Sequence, residues 1–393
     1  MNLRYTKGLS ETIQRSHPKE RAMKVLVVIA SINELRNIKD FEPMLTQENS
    51  KVVVVDESDG TVRRRNDEIL EDIPHEYYGV SERSEWFRER FGSSSSKYLK
   101  VIPERCHAET SFGFLVAYEE EPDVVLEVDD DVFPVKGHDI LRGHISNLFS
   151  EDGVTVSSSW KWYNTLENLE LNVGDPIFAR GHPYSEDTRK EEYNWRTQGG
   201  RCVLNMGLWT GHPDLDALTI LYYGGLDGRC RIRALRSKRK KIIVGRGTYF
   251  AVCSMNTAFR PNVIPAFYQL YMNYMGVNRF DDIWSGLFLK KVADHLGDRV
   301  SLGEPVVYHD KRPRDVFKDL KNETDGLAIN ETLWRTVEEA EIEGETYWDA
   351  YSSLIEEMTV RIPKAFKNPD HKKFLKAQIE RMRLWLEIID KIK

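Results

Sequence analysis

The chain has 393 residues, 40% hydrophobic and 30% charged, enough to bury a full core as one large α/β domain or two smaller ones. Its formal net charge of −7 argues against general nucleic-acid binding, and no apolar run approaches the ~18 residues of a membrane span. Residues 1–22 are polar and lack the apolar core of a signal peptide, and Cys106, Cys202, Cys230 and Cys253 show neither paired nor metal-ligand spacing, so a cytoplasmic location with free thiols is expected.

Lys24 to Ala30 reads as a first strand, followed by Ser31-Ile-Asn-Glu and a helix-compatible segment to about Leu45. Lys51 to Val55 is a second strand ending on Asp56-Glu57. Two near-continuous apolar strands around a short helix indicate a parallel sheet covered on both faces. Ligands gather at the carboxyl ends of such strands, which makes Asp56 a candidate for a base or ribose contact, with a turn-forming role as the alternative. Neither a G-x-G-x-x-G nor a P-loop lysine sequence is present, so hydride transfer and ATP hydrolysis of the common types lose support.

His107 to Tyr118 is helical in pattern, with Phe112, Leu115 and Val116 on one buried face. It leads into Pro122 to Phe133, an apolar β-branched run that stops on Asp129-Asp130-Asp131. Three acids at the end of a core strand call for a cation. Strand alternation would put Asp129 and Asp131 on one side and Asp130 on the other, so that two carboxylates share one magnesium or manganese ion. A solvated acidic turn is the alternative.

Ile140 to Phe149 reads as a helix and Val154 to Trp160 as a strand. Arg180 follows in a Gly/Pro-containing loop, with Arg189, Arg196 and Arg201 downstream. Their guanidinium groups suit a diphosphate, against the alternative of scattered surface arginine. The basic stretch 229–241 is either a solvated hairpin or a dock for anionic lipid or a phosphorylated acceptor, which would place the protein peripherally at a membrane surface. Phe250 to Pro261 reads as a strand entering a turn, and Asn278 to Leu289 opens a long helix with Asp281 and Asp282 in its first turn. Those acids either cap the helix or present one carboxylate to a cleft as a base or sugar-hydroxyl acceptor. Thr332 to Tyr351 and Phe374 to Ile392 read as helices. The stripe Leu375, Ile379, Met382, Leu386 and Ile389 is expected to pack on the catalytic domain, with self-association as a homo-oligomer second and membrane contact third.

Taken together, the motifs resemble those of the reversibly glycosylated polypeptides, the UDP-arabinopyranose mutases. The resemblance runs from Lys24 to His309 through the first strand, the Asp triplet, Arg180-Gly-His-Pro-Tyr-Ser185, Leu208-Trp209 with Pro213-Asp-Leu-Asp-Ala217, Met255-Asn-Thr-Ala-Phe259, Arg279-Phe-Asp-Asp-Ile-Trp-Ser-Gly286 and a late His309. It implies a GT-A (Rossmann-like) α/β fold, a mixed, mostly parallel sheet flanked by helices, with a catalytic domain over 23–314 and a helical C-terminal extension over 315–393. It also implies a UDP-sugar substrate and a Mn2+ or Mg2+ cofactor.

By the same resemblance, Asp129, Asp130 and Asp131 are the metal and nucleotide-diphosphate acids, His309 is a further metal ligand, and Arg180 is the arginine that becomes glycosylated. Asp281 and Asp282 match the family's paired acids. In the plant mutases a second arginine lies seven residues after the glycosylated one, whereas here Arg189 stands nine residues on, in a longer, more charged insertion. The expected activity is a metal-dependent UDP-sugar mutase or self-glycosylating protein. The alternative is transfer to a separate acceptor, with Arg180 clamping phosphate and Asp281 or Asp282 as base; a non-catalytic sugar-nucleotide binder comes third.

Overall fold

The computed structural model describes residues 23–46 and 49–392. The polar extension expected over residues 1–22 lies outside the described residues. The first half runs β1 (Lys24–Ser31), α1 (Arg36–Leu45), β2 (Asn49–Asp56), α2 (Gly60–Leu70), β3 (His75–Tyr78), α3 (Val80–Phe91), α4 (Ser95–Leu99), α5 (Thr110–Glu120) and β4 (Val124–Val128). The middle contributes β5 (Val132–Pro134), α6 (Ile140–Phe149), β6 (Val154–Ser158), β7 (Leu169–Leu171), β8 (Tyr193–Arg196), β9 (Leu204–Gly211), α7 (Ala217–Tyr222), β10 (Ala234–Ser237), β11 (Lys241–Val244) and β12 (Asn256–Phe259). It closes with α8 (Asp281–Leu296), β13 (Val300–His309), α9 (Val316–Glu338), α10 (Tyr347–Ala365) and α11 (Pro369–Lys391).

One mixed sheet has the main order β3-β2-β1-β4-β12-β9-β13-β11-β6-β8. Five of its nine junctions are parallel, including the whole run from β3 to β4 and the pair β9 and β13. The apolar runs of β1 and β2 are buried almost throughout, as a sheet covered on both faces requires. On one face α5 lies so close to β1 that a Cβ on Gly113 would stand 2.3 Å from Val28 Cγ1, which is why a helix rich in phenylalanine carries a glycine there.

Strand direction positions the site. β12 is antiparallel to both β4 and β9, so β9 and its parallel neighbour β13 point the same way as β1 to β4. The carboxyl ends of these strands therefore share one rim, which collects Asp56, the Asp triplet, the loop after Gly211 and His309. β13 reaches further along this rim by pairing Val307 to His309 with Val132 to Pro134 of β5.

Three sequence expectations need correction. The acid triplet is not an extension of its strand: β4 stops at Val128, and Asp130 and Asp131 form a turn into β5, so alternation does not govern their directions. Of Phe250 to Pro261 only Asn256–Phe259 is a strand; the preceding residues run as buried irregular chain past Asp282 and β9. Thr332 to Tyr351 is not one helix. α9 ends at Glu338, Gly344 takes a positive φ of 119°, and Thr346 accepts a hydrogen bond from the Asp349 amide to begin α10.

The stripe on α11 does pack on the main domain. Leu375, Ile379, Met382, Leu386 and Ile389 are all buried. Trp385 stacks on Tyr268 with centroids 5.1 Å apart and donates from Nε1 to the Ile264 carbonyl, while Gln378 donates to the Tyr271 carbonyl.

Candidate functional site

The turn after β4 is pinned from below by Asn37 of α1, whose amide donates to the carbonyls of Asp129 and Val132 at 2.8 and 3.0 Å. Its three carboxylates part company. Asp130 accepts from the Ser31 hydroxyl, from Asn33 Nδ2 at 2.9 Å and from Arg312 at 2.7 Å. Asp129 faces Nε2 of His107 at 3.0 Å, and the other ring nitrogen lies 3.2 Å from Asp281 at the start of α8. Burial opposes a charge on His107, yet these two carboxylates outweigh it and raise the imidazole well above its ordinary pKa. His107 thereby ties the triplet to the paired acids of α8.

Asp131 faces His309. The Nδ1 of that ring lies 2.7 Å from the His212 carbonyl, an acceptor only, so Nδ1 carries the proton and Nε2 turns toward Asp131 at 3.7 Å. A carboxylate and an imidazole nitrogen aimed at one another suit a divalent cation, and the backbone bond on the far ring nitrogen is how ligating histidines are commonly oriented. Among the described residues no group of three or more His, Cys, Asp or Glu side chains forms a metal cage. The pair thus fits an ion that draws its other ligands from phosphate and water, the usual situation for magnesium. Asp129, expected to share that ion, is instead engaged by His107.

Arg180 sits in a tight loop whose next residue, Gly181, has φ 87° and no room for a side chain: a Cβ would meet Ile283 Cγ2 at 2.6 Å. Asn330 of α9 donates to the Gly181 carbonyl at 2.9 Å and accepts from Trp284 Nε1, so the C-terminal helices brace this loop. The buried guanidinium donates through Nε to both oxygens of Asp214, at 3.2 and 3.1 Å, and through a terminal nitrogen to Asp282 at 3.4 Å. A further nitrogen donates to the Arg279 carbonyl.

The two acids around Arg180 differ. Burial acts against the charge of Asp214, but Arg180 outweighs it and holds the carboxyl down at about 2. For Asp282 burial prevails, reinforced by Asp281 and Asp214 and opposed by Arg180, and the carboxyl rises to about 6. Asp281 is held below the usual carboxylate range because His107 outweighs its burial. Close acids with separated proton affinities make one of them a proton carrier near neutral pH.

Asp56 is buried and accepts from the amide and hydroxyl of Ser58, at 3.1 and 2.9 Å, so its turn-forming role is real. It also lines a cleft of about 430 Å3 with Ser58, Arg63, Val80 and Glu82 at the ends of β2 and β3. Arg189 lies between the rings of Phe178 and Tyr184, 4.5 and 3.9 Å from their centroids, and its Nε donates to the Pro183 carbonyl. These contacts hold the insertion together, and among the described residues no hydrogen bond or ion pair joins Arg189 to the acid triplet. Arg196 is exposed on β8 and Arg201 pairs with Glu151 at the surface.

The basic stretch forms β10, a turn and β11, and much of its charge is matched locally: Arg229 with Asp227, Arg236 with Glu170, Arg239 with Glu167.

His107, Asp214, Lys311 and Arg312 were not singled out from the sequence. Asp214 lay inside the Pro213 to Ala217 motif, and Lys311 and Arg312 follow His309 directly. His107 offered only a lone histidine opening a helical segment.

A family model described as reversibly glycosylated polypeptide matches residues 21–392. UDP-arabinopyranose mutase 1 of Oryza sativa subsp. japonica is 29% identical over 92% of this chain and 90% of its own length. Probable UDP-arabinopyranose mutase 4 of Arabidopsis thaliana is 26% identical over 93% and 92%. Among solved structures, glucosyl-3-phosphoglycerate synthase from Mycobacterium tuberculosis, in complex with Mn2+, UDP and glucosyl-3-phosphoglycerate, aligns over 80% of this chain and 78% of its own, at 12% identity and a TM-score of 0.35.

Proposed function

The chain belongs to the reversibly glycosylated polypeptide family, and we propose that it is a UDP-sugar pyranose/furanose mutase of GT-A type that works through a transient sugar on Arg180. It is a nucleotide-sugar enzyme, in keeping with relatives that match nearly its whole length. The observation that carries the mutase reading is Arg180 itself, seated between Asp214 and Asp282 on the rim that also bears the acid triplet.

A protonated guanidinium is a poor nucleophile. Asp282, with its raised proton affinity, accepts a proton from Arg180 and leaves a neutral guanidine, while Asp214 keeps its charge and steadies the guanidinium cation that re-forms once the nitrogen carries the sugar. The freed nitrogen lone pair forms a bond to the anomeric carbon as the bond to the phosphate oxygen breaks, and that electron pair leaves with UDP. The ring oxygen then leaves the anomeric carbon, which the arginine nitrogen still holds, and takes up the proton carried by Asp282; a different hydroxyl closes on that carbon and returns its proton to Asp282. A phosphate oxygen of UDP takes the sugar back, and Asp282 returns the proton to Arg180. Mn2+ or Mg2+ held by Asp131 and His309 would supply neutralising charge for the departing diphosphate. The cleft beside Asp56 takes the base and ribose in this reading, since it opens at the ends of β2 and β3 on the same rim. Four free, buried cysteines suit a reducing, cytoplasmic setting.

One observation favours a second reading. Arg180 is raised well above its ordinary pKa, its burial outweighed by Asp214 and Asp282, which suits a phosphate clamp as well as a nucleophile. In that case an acceptor hydroxyl attacks, with Asp282 as base. Proton NMR of UDP-arabinopyranose incubated with the protein and manganese separates the two. A furanose nucleotide supports the mutase, free UDP without ring exchange supports transfer, and an unchanged nucleotide counts against both.

A further inference from the structure

Lys311 is 6% exposed, yet no hydrogen bond or ion pair among the described residues reaches its ammonium group. Its neighbours are not so placed. Arg279 pairs with Glu323 at 2.5 Å, Arg314 with Asp319 at 3.4 Å, Arg312 with Asp130 at 2.7 Å, and Arg180 with Asp214 and Asp282. Asp214 attracts it from a distance, but that carboxylate is committed to Arg180, and Arg180, Arg279 and Arg314 all repel the ammonium, so the group stands in a local excess of positive charge that the anion of a ligand would relieve. The position says which anion. Lys311 stands two residues beyond His309, in the loop that leaves the carboxyl end of β13, and the preceding amide of Asp310 donates to the Asp131 carbonyl at 2.9 Å. The lysine is thus tethered to the turn that carries Asp131, the acid facing His309.

We propose that Lys311 binds the β-phosphate of the nucleoside diphosphate, keeping the departed nucleotide in place while the sugar resides on the protein. The assignment rests on the nucleotide-sugar reading above and adds to it a residue that distinguishes a diphosphate from a monophosphate. An α-phosphate alone stays with the base and ribose in the cleft by Asp56. The added terminal phosphate then reaches the ammonium group as a charge-assisted partner. Because Lys311 makes no contact ion pair and Asp214 keeps its bond to Arg180, replacing the lysine with a similarly sized apolar side chain leaves no orphaned carboxylate.

The test is calorimetric titration of native protein, Lys311→Met and Lys311→Arg with UDP and with UMP, manganese being present throughout, alongside thermal melting of each variant. The expected result is a loss of UDP affinity of roughly ten- to hundredfold in Lys311→Met, UMP affinity unchanged, partial recovery in Lys311→Arg and no fall in melting temperature. An unchanged ratio of UDP to UMP affinity overturns the assignment, as does a loss shared equally by both nucleotides with a lowered melting temperature, which marks a structural lysine. Native protein that binds neither nucleotide overturns the nucleotide-sugar reading itself, and this assignment with it.

Discussion

Arg180 and Asp282 lie 3.4 Å apart, guanidinium nitrogen to carboxylate oxygen, and Asp282 is the acid of this cluster whose proton affinity burial has raised to about 6. In the proposed mechanism the sugar-loading step needs that carboxylate empty to receive the arginine proton. Loading on Arg180 is therefore expected to rise with pH and level off above about 6, and Asp282→Asn is expected to lose the rise along with most of the rate. Single-turnover loading followed by intact mass across pH 5 to 8, at about half-unit steps, checks both. The stability linkage runs in the same window. A folded pKa above the ordinary 3.8 means that the folded state holds the proton longer, so this group's contribution to stability falls as pH rises from about 4 to about 6. Asp282→Asn should flatten that slope in urea titrations.

Asp214 has the opposite role. It is the bidentate partner of a buried guanidinium, and its contribution to stability is present above the ordinary carboxylate range and lost as pH falls toward about 2. Asp214→Asn leaves Arg180 with Asp282 alone and is expected to cost roughly 3 kcal/mol in denaturant unfolding, while Asp214→Glu recovers part of it. Equal stability of Asp214→Asn and the native chain would show that the pair does not anchor the loop.

Metal affinity should divide the acid triplet. With Asp131 facing His309 and Asp129 taken by His107, His309→Ala and Asp131→Asn are expected to weaken manganese binding in the presence of UDP by roughly tenfold or more. Asp129→Asn should weaken it less. Electron paramagnetic resonance of free manganese reads this directly, and an equal loss from Asp129→Asn would restore Asp129 as a ligand.

The C-terminal helices hold the site from behind. Trp385 is fully buried, stacks on Tyr268 and bonds to the Ile264 carbonyl. Trp385→Ala is expected to destabilise the protein by about 3 to 5 kcal/mol, measured by urea unfolding. Asn330→Ala removes the link between α9 and the Gly181 carbonyl, and is expected to slow sugar loading more than it lowers the melting temperature.

The strands of the first half were legible because a sheet buried on both faces imposes unbroken apolar runs, and Val52 to Val55 could hardly be anything else. The acid triplet was legible as a site for the same reason, since charge follows the core strand without a spacer. Its internal division was not, because the direction of each carboxylate depends on the turn into β5 and on His107 and His309, which arrive from 22 residues before and 178 residues after their partners. Asp281 and Asp282 carried a capping reading and a chemical one. Both are buried and both reach side chains from elsewhere in the chain, Asp281 to His107 and Asp282 to Arg180, which no spacing within α8 could reveal. The break between α9 and α10 is hidden in the sequence because Thr332 and Tyr351 sit in good helical surroundings on either side of it, and only Gly344 and Thr346 mark the stop.

The most direct measurement is fragment-resolved mass spectrometry of the native protein after incubation with UDP-arabinopyranose and manganese. The account predicts a pentose on the peptide bearing Arg180, absent from Arg180→Lys and discharged when UDP is added. Release of UDP with no sugar on Arg180, or a pentose attached elsewhere, would contradict it.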